Sequence, residues 1–393
     1  MAEFSFYQPV RMEFGAGKLE SAGKITSSFG DSCLLVTTTN SEDVLRPLYD
    51  RVKGILEKAG VRYIHFDEVV PNPDVRGIEK AIGIVKRERL QVILAVGGGS
   101  SIDTAKAVSL FWESEGIDWK KVISEYSSPT EVYGLPGSSV LPVIAAPTTA
   151  GTGSEMTQAM IVSDHEKNMK ECVYHQAVFP KVAIIDPELT RTLPPYPTAV
   201  TGFDAFTHSF ESYMRELASP YTSLLGTEAM KIIIEVLPKL LRETSNMAYR
   251  EEMSRAAAFS GISLSNASAS IPHPLSEVIG GVVPGIAHGQ CLACLYPAYV
   301  RYQVTQEPEK CARVARLFDS SLMDVSDGEA ALALPGQIEE FLKKTGLFHT
   351  LSELGVTREE FGEMKKNPVL QFLPFASPEI LSGILDESYG GRL

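Results

Sequence analysis

The chain predicts an α/β N-terminal domain built on a parallel sheet, followed by an all-α C-terminal domain. Three observations carry this expectation. The first half alternates short apolar runs, rich in β-branched residues, with amphipathic stretches, the pattern of a parallel sheet covered on both faces. After Asp186-Pro187 the apolar spacing becomes helical and no strand is convincing. Pro187, Pro194 and Pro195 mark the change, so the boundary is expected within residues 186–195, giving domains 1–188 and 189–393. A length of 393 residues agrees with two cores rather than one.

Taken in order, Ser32 to Thr37 reads as a buried strand and Asp43 to Lys58 as a helix closed by Gly60. Val61 to Phe66 is a second strand, and Asp74 to Glu88 a helix entered through Pro71-Asn-Pro73. Val92 to Val96 is a third strand, running into a helix over Ser101 to Phe111. Leu141 to Ala145 and Val182 to Ile185 are further strands. In the second half, helices are expected over Tyr196–Glu216, Pro220–Arg242, Tyr249–Leu264, Gln337–Thr345 and Pro378–Leu385.

A net charge of -13 gives neither nucleic acid nor an anionic membrane anything to bind. No apolar stretch approaches a membrane span, and Met-Ala-Glu-Phe-Ser-Phe-Tyr has no secretory character, so a cytoplasmic protein is expected. Five scattered cysteines fit reduced thiols. Cys291-Leu-Ala-Cys294 lacks a second pair to complete a zinc or redox motif, and reads as two small residues one turn apart on a buried helix.

Two polar clusters follow strands. Val96 runs into Gly97-Gly98-Gly99-Ser100-Ser-Ile-Asp103-Thr-Ala-Lys106. Glycines let backbone approach a phosphate, and the helix start offers free N–H groups, with Ser100 as the expected cap. The run is not G-x-G-x-x-G, and three glycines also make a plain tight turn. Pro147-Thr148-Thr149-Ala-Gly-Thr152-Gly-Ser-Glu155 follows the next strand, where open α/β sheets bind ligands. The first domain is therefore read as nucleotide-binding and Rossmann-like.

Asp204, His208, His273 and His288 are the candidate metal ligands of the second domain. Asp204 and His208 are four apart and share a helix face. One carboxylate with three imidazoles suits Fe(II), Zn(II), Mn(II) or Co(II), and affinity alone does not choose among them. Read alone, Asp-x-x-x-His is more readily a surface pair on a helix; the rest of the chain turns it into a candidate ligand pair. Glu277, four residues past His273, lies on the same face if a helix continues there. It would then hydrogen-bond a ligand histidine or a polar substrate group; otherwise it is a solvated position.

Together these segments resemble the iron-dependent (group III) alcohol dehydrogenases over nearly the whole chain. The resemblance runs through Phe14-Gly15-x-Gly17, Gly97-Gly-Gly-Ser-x-x-Asp103-x-x-Lys106, Pro147-Thr-Thr-x-Gly-Thr-Gly-Ser-Glu155, Asp186-Pro187-Glu-Leu, Thr201-Gly-x-Asp204-Ala-x-x-His208 and His288-Gly. It implies metal binding by Asp204, His208, His273 and His288. It implies a pyrophosphate on Gly97, Gly98, Gly99 and Ser100 with Asp103 nearby, Thr148, Thr149 and Thr152 along the ribose and nicotinamide, and Lys170 near a ribose hydroxyl. The implied reaction is hydride transfer between an alcohol or aldehyde and NAD(P), in a homodimer or larger assembly. With no thiolate to fix zinc, Fe(2+) is the expected metal and Zn(2+) the alternative. Members preferring NAD often carry Asp at the position of Thr38, whereas Val36 to Asn40 here holds no carboxylate. With Thr38 and Asn40 as its contacts, NADPH is expected to serve at least as well as NADH. Many members also carry histidine at the position of Glu277, and the stretch from His273 to His288 is one residue longer than usual. His65, His165, His175 and His349 match no motif and are read as structural or exposed. The alternative is a dehydroquinate synthase-like NAD- and metal-dependent enzyme, which needs a basic pocket that these segments lack; a non-catalytic nucleotide-binding protein would leave the four ligands idle.

Overall fold

The computed structural model describes residues 3–39, 44–164, 166 and 169–390. By backbone contacts the chain forms two compact units. One comprises Tyr7–Leu193 with Ser245–Ser254; the other comprises the N-terminal residues up to Phe6, Pro194–Thr244 and Arg255–Leu393.

The first unit is built on six parallel strands: β1 (Arg11–Phe14), β2 (Ser32–Thr38), β3 (Arg62–Val69), β4 (Val92–Gly97), β5 (Val143–Pro147) and β8 (Val182–Ile185), in the order β1-β8-β5-β4-β2-β3. Helices α1 (Ala22–Ser27), α2 (Arg46–Lys58), α3 (Val75–Glu88), α4 (Gly99–Phe111) and α5 (Trp119–Glu125) connect or follow strands. Alternate residues of one strand enter opposite cores. Leu34, Val36, Ile93 and Ala95 join one cluster, while Cys33, Leu35, Leu94 and Val96 join the other. This is why these strands read as unbroken apolar runs. Asp186 locks β1's exit to β8's: its carboxylate accepts the Gly17, Leu19 and Glu188 amides at 3.2, 3.0 and 3.1 Å.

Two features of this unit lie outside the sequence expectation. β1 is short and half exposed, so it carries little apolar signal. A separate antiparallel hairpin, β6 (Ala159–Asp164) with β7 (Met169–Tyr174), has mixed polar and apolar residues and no turn signature that stands out. Ser100 is not the cap of α4. Gly98 occupies that position without a side-chain bond, and Ser100 lies in the first turn, its Oγ accepting the Asn72 amide at 3.2 Å. Asp43, the expected start of α2, lies outside the described residues, and α2 begins at Arg46.

The helical unit contains α6 (Pro195–Met214), α7 (Pro220–Leu240), α8 (Met247–Ala267, its first turns grouped with the other unit), α9 (Pro272–Val282) and α10 (His288–Gln306). Further helices cover Pro308–Phe318, Asp327–Thr345, Arg358–Lys365 and Pro378–Tyr389. Proline opens α6, α7 and α9, where a missing N–H costs nothing. α6 is buried continuously from Gly202 to Met214. Phe203, Phe206 and Phe210 line one face and pack against Tyr296 of α10 at 5.2, 6.2 and 5.7 Å between ring centres. Gly289 lies so close to α6 that a Cβ there would collide with the Val200 carbonyl oxygen.

Candidate metal centre and coenzyme cradle

The other face of α6 carries Asp204, His208 and Glu211, spaced four and then three residues apart so that all three project together. α9 supplies His273 near its start, and α10 supplies His288 as its first residue. The Nε2 atoms of His208, His273 and His288 lie 3.5, 3.8 and 3.7 Å from a single oxygen, Asp204 Oδ1. Bonds of about 2.1 Å to a tetrahedral ion require ligand separations of about 3.4 Å, so these spacings are those of a first shell slightly relaxed. Asp204, His273 and His288 each offer an atom within 4.8 Å of the others, and the His208 ring stacks on His273 at 4.7 Å.

Buried polar chemistry supports an ion. Asp204 Oδ1 and His273 Nε2 are buried without a hydrogen bond among the described residues, a cost that coordination would remove. Burial by itself would raise the Asp204 carboxyl, but His208, His288 and His273 hold it below the usual carboxylate range. Burial lowers His273, and Glu211 and Asp204 reverse this, raising it to about 10, so the surroundings favour positive charge at this place. Side-chain exposure grows from Asp204 (5%) and His208 (6%) to His273 (14%) and His288 (27%), so the open side of the set is the His273 and His288 side.

Two residues that sequence reasoning missed fix the imidazoles. Both oxygens of fully buried Glu211 lie 2.9 Å from His273 Nδ1, and one accepts the Ser270 amide at 2.7 Å. With Nδ1–H donated to Glu211, the His273 ring would present the lone pair of Nε2 toward Asp204 once an ion displaces the Nε2 proton. Ser276 Oγ donates to the His273 carbonyl at 2.7 Å and lies 3.1 Å from His288 Nδ1. Glu211 is the next residue on the Asp204–His208 face, but a helical glutamate ordinarily signals solvent, and nothing in the sequence marks Ser276. Glu277 is indeed on α9, with Oε1 3.6 Å from His288 Nδ1, the ring atom turned away from Asp204.

In the α/β unit, Gly97 of β4 pairs in register with Pro147 of β5. The two polar clusters therefore leave neighbouring strands side by side at their carboxyl ends, and Thr38 ends β2 on the far side of β4. The loops are packed closely: the Thr148 amide donates to Gly97 O at 2.9 Å, and a Cβ on Gly99 would come within 2.8 Å of Thr152. Thr149 lies against Gly98. Thr38 Oγ1 is 2.6 Å from the Tyr49 hydroxyl. Asp103 is turned into the protein, accepting from Ser154 Oγ at 2.5 Å and the Ile161 amide at 3.1 Å. Lys106 is fully buried, donating to Ser154, Thr157 and the Ala159 carbonyl, and burial lowers its ammonium to about 8. Burial likewise raises neighbouring Glu155 to about 7. Lys170 lies on β7 opposite Ser163, largely buried. Asn40 and His165 lie outside the described residues.

His65 and His175 are tied to the fold through Thr37 Oγ1 (2.9 Å) and the Gly134 carbonyl (3.1 Å). Cys291 and Cys294 are buried on α10, and burial pushes the Cys294 thiol up to about 12, away from thiolate chemistry.

Both halves of the chain match one family. Residues 9–187 match the family described as iron-containing alcohol dehydrogenase, and residues 198–382 match the C-terminal domain of the Fe-containing alcohol dehydrogenase family. The choline dehydrogenase of Bacillus subtilis is 31% identical over 96% of this chain and 92% of its own length. The NADPH-dependent butanol dehydrogenase of Clostridium saccharobutylicum is 31% identical over 91% and 88%. The crystal structure of an archaeal halo-thermophilic alcohol dehydrogenase from a Red Sea brine pool matches with a TM-score of 0.90 at 29% identity, covering 99% of both chains. The chain belongs to the iron-containing alcohol dehydrogenase family. It is an NAD(P)-linked alcohol oxidoreductase, and the dehydroquinate synthase alternative finds no support among these relatives.

Proposed function

We propose that the protein reversibly interconverts a small alcohol and its aldehyde or ketone at Asp204, His208, His273 and His288, with Fe(2+) as the working metal and Zn(2+) as a competent substitute. The carrying observation is the convergence of three Nε2 atoms on Asp204 Oδ1. When bound, the ion would act as a Lewis acid on the substrate oxygen, and the nicotinamide would give or take the hydride. The residues of the chain position these groups. Glu211 and Ser276 hold the His273 and His288 rings with their lone pairs inward. The Gly97–Ser100 turn and the start of α4 offer backbone N–H groups for the pyrophosphate, and Thr148, Thr149 and Thr152 line the neighbouring loop. Asp103 is kept as the residue near the pyrophosphate, and its carboxylate also holds that loop through Ser154. The position of Lys170 on β7 is kept as a contact to the coenzyme ribose.

NADPH is proposed to serve at least as well as NADH, because Thr38, at the end of β2, offers a hydroxyl in place of a carboxylate; Asn40 is proposed as its neighbour in this contact. Thr38→Asp should then shift preference toward NADH. The chain is further proposed to act in the cytoplasm as a homodimer or larger assembly. β1 forms one edge of the sheet, and no helix among the described residues is long and apolar enough to cross a membrane.

The test is anaerobic reconstitution of metal-free protein with Fe(II) or Zn(II), followed by NADH and NADPH consumption across a panel of aldehydes. Turnover with Fe(II) above that with Zn(II), and NADPH at least equal to NADH, are expected. No turnover with any aldehyde would reject the reading, as would full activity in a His273→Ala protein free of metal.

A further inference from the structure

His273 and His288 are supported in different ways. Glu211 gives His273 a hydrogen bond and a negative charge from one side chain, both oxygens lying 2.9 Å from Nδ1. On His288 the corresponding nitrogen faces two side chains of α9. Ser276 Oγ is 3.1 Å away, at hydrogen-bond distance, while Glu277 Oε1 is 3.6 Å away, beyond it. The Ser276 proton is committed to the His273 carbonyl at 2.7 Å. Ser276 therefore accepts from His288, which places the proton on Nδ1 and the lone pair on Nε2. At 3.6 Å Glu277 still acts on the imidazole electrostatically, in a setting where its side chain is only 15% exposed. The Glu277 carboxylate therefore meets His288 at Nδ1, while Nε2 is the atom nearest Asp204.

Resting on the metal reading above, we propose that Ser276 and Glu277 divide on His288 the work that Glu211 does alone on His273. Ser276 fixes the ring plane and tautomer. Glu277 is a positioning residue that acts through charge, making His288 a stronger donor and tightening the hold on the ion. The site then has Asp204, Glu211 and Glu277 arrayed around one divalent cation, so retention of the ion is favoured at the expense of its Lewis acidity.

The experiment uses Co(II) as probe on full-length metal-free protein, with affinity read by chelator competition and ligand geometry by the visible absorption of the bound ion. Glu277→Gln keeps shape and removes charge. It should weaken Co(II) binding about tenfold and leave the spectrum unchanged. Ser276→Ala should alter the spectrum, because the ring loses its acceptor. Glu277→Asp, which restores charge, should recover part of the affinity. Wild-type affinity in Glu277→Gln, or a spectral change in it matching that of Ser276→Ala, would overturn the division. A wild-type protein that takes up no Co(II) would instead overturn the metal reading itself. Circular dichroism of the metal-free variants separates either result from loss of fold.

Discussion

Glu211 shows what a single side chain contributes. Its carboxylate accepts from His273 Nδ1 and also holds the Ser270 amide. Glu211→Gln keeps the shape but weakens the acceptor, and should cost 10- to 100-fold in metal affinity by chelator competition; unaltered affinity would mean that packing alone orients His273. Asp204 and His208 were legible as a pair on one helix face, but only the company of His273, His288 and the other matching segments made them ligand candidates. Glu211 lay on the same face, but a glutamate on a helix ordinarily signals solvent, so the burial of α6 from Gly202 to Met214 is what identifies it. Glu155 carries a second prediction. Its folded value of about 7 exceeds the ordinary 4.5, so between these pH values the folded chain keeps a proton that the unfolded chain has released. Stability must fall as pH rises through that window, by at most about 3 kcal/mol. Glu155→Gln should flatten this part of the urea-denaturation profile, and an unchanged slope would rule it out as the source. Lys106, lowered to about 8, works in the opposite sense: stability rises above that pH until the unfolded lysine also loses its proton.

At the scale of elements, the metal set depends on how α10 meets α6. Gly289 lets the first turn of α10 rest on the Val200 carbonyl, one residue from His288. Gly289→Ala would force the two helices apart, costing about 1–3 kcal/mol in thermal or urea unfolding and weakening metal retention in parallel; a stable variant with normal metal content would show that the contact is incidental. The major helices were readable from apolar spacing, as were the central strands from their unbroken apolar runs. The β6–β7 hairpin was not, because its strands alternate partial and full burial among polar residues such as Ser163, Lys170 and Glu171. The start of α4 was misplaced for a related reason: serine normally caps better than glycine, but here Gly97–Gly99 must admit the Ser101 and Thr152 side chains at close range.

For the whole molecule, the metal is expected to be part of the helical unit's stability. α6 and, much later in the chain, the consecutive pair α9 and α10 meet at the ligand set, so a bound ion would join distant segments. Removing it with a chelator should lower the unfolding temperature and raise amide hydrogen exchange in α6, α9 and α10 first. Uniform loss of protection, including α3 and β2, would show that the ion does not act locally. The two-domain plan was visible because the apolar period changes after Asp186. The assignment of the N-terminal residues up to Phe6 to the helical unit was not, since it depends on Phe4 and Phe6 packing on Tyr221, 5.8 and 5.1 Å away.

The pairing of β1 with β8 has a consequence for how the chain is made. Arg11 meets Val182, and Asp186 clasps the amides of Gly17 and Leu19. During synthesis the first strand must wait until most of the unit has left the ribosome before its partner exists, and such distant closures are slow. The waiting segment is short and only half apolar, which leaves it little tendency to pair with the wrong strand. Asp186→Asn should slow the last phase of refolding more than it lowers the equilibrium stability of the finished sheet, as stopped-flow measurements would reveal. The clasp is thus a late checkpoint of assembly: the beginning of the chain is secured only after the end of the sheet has been delivered.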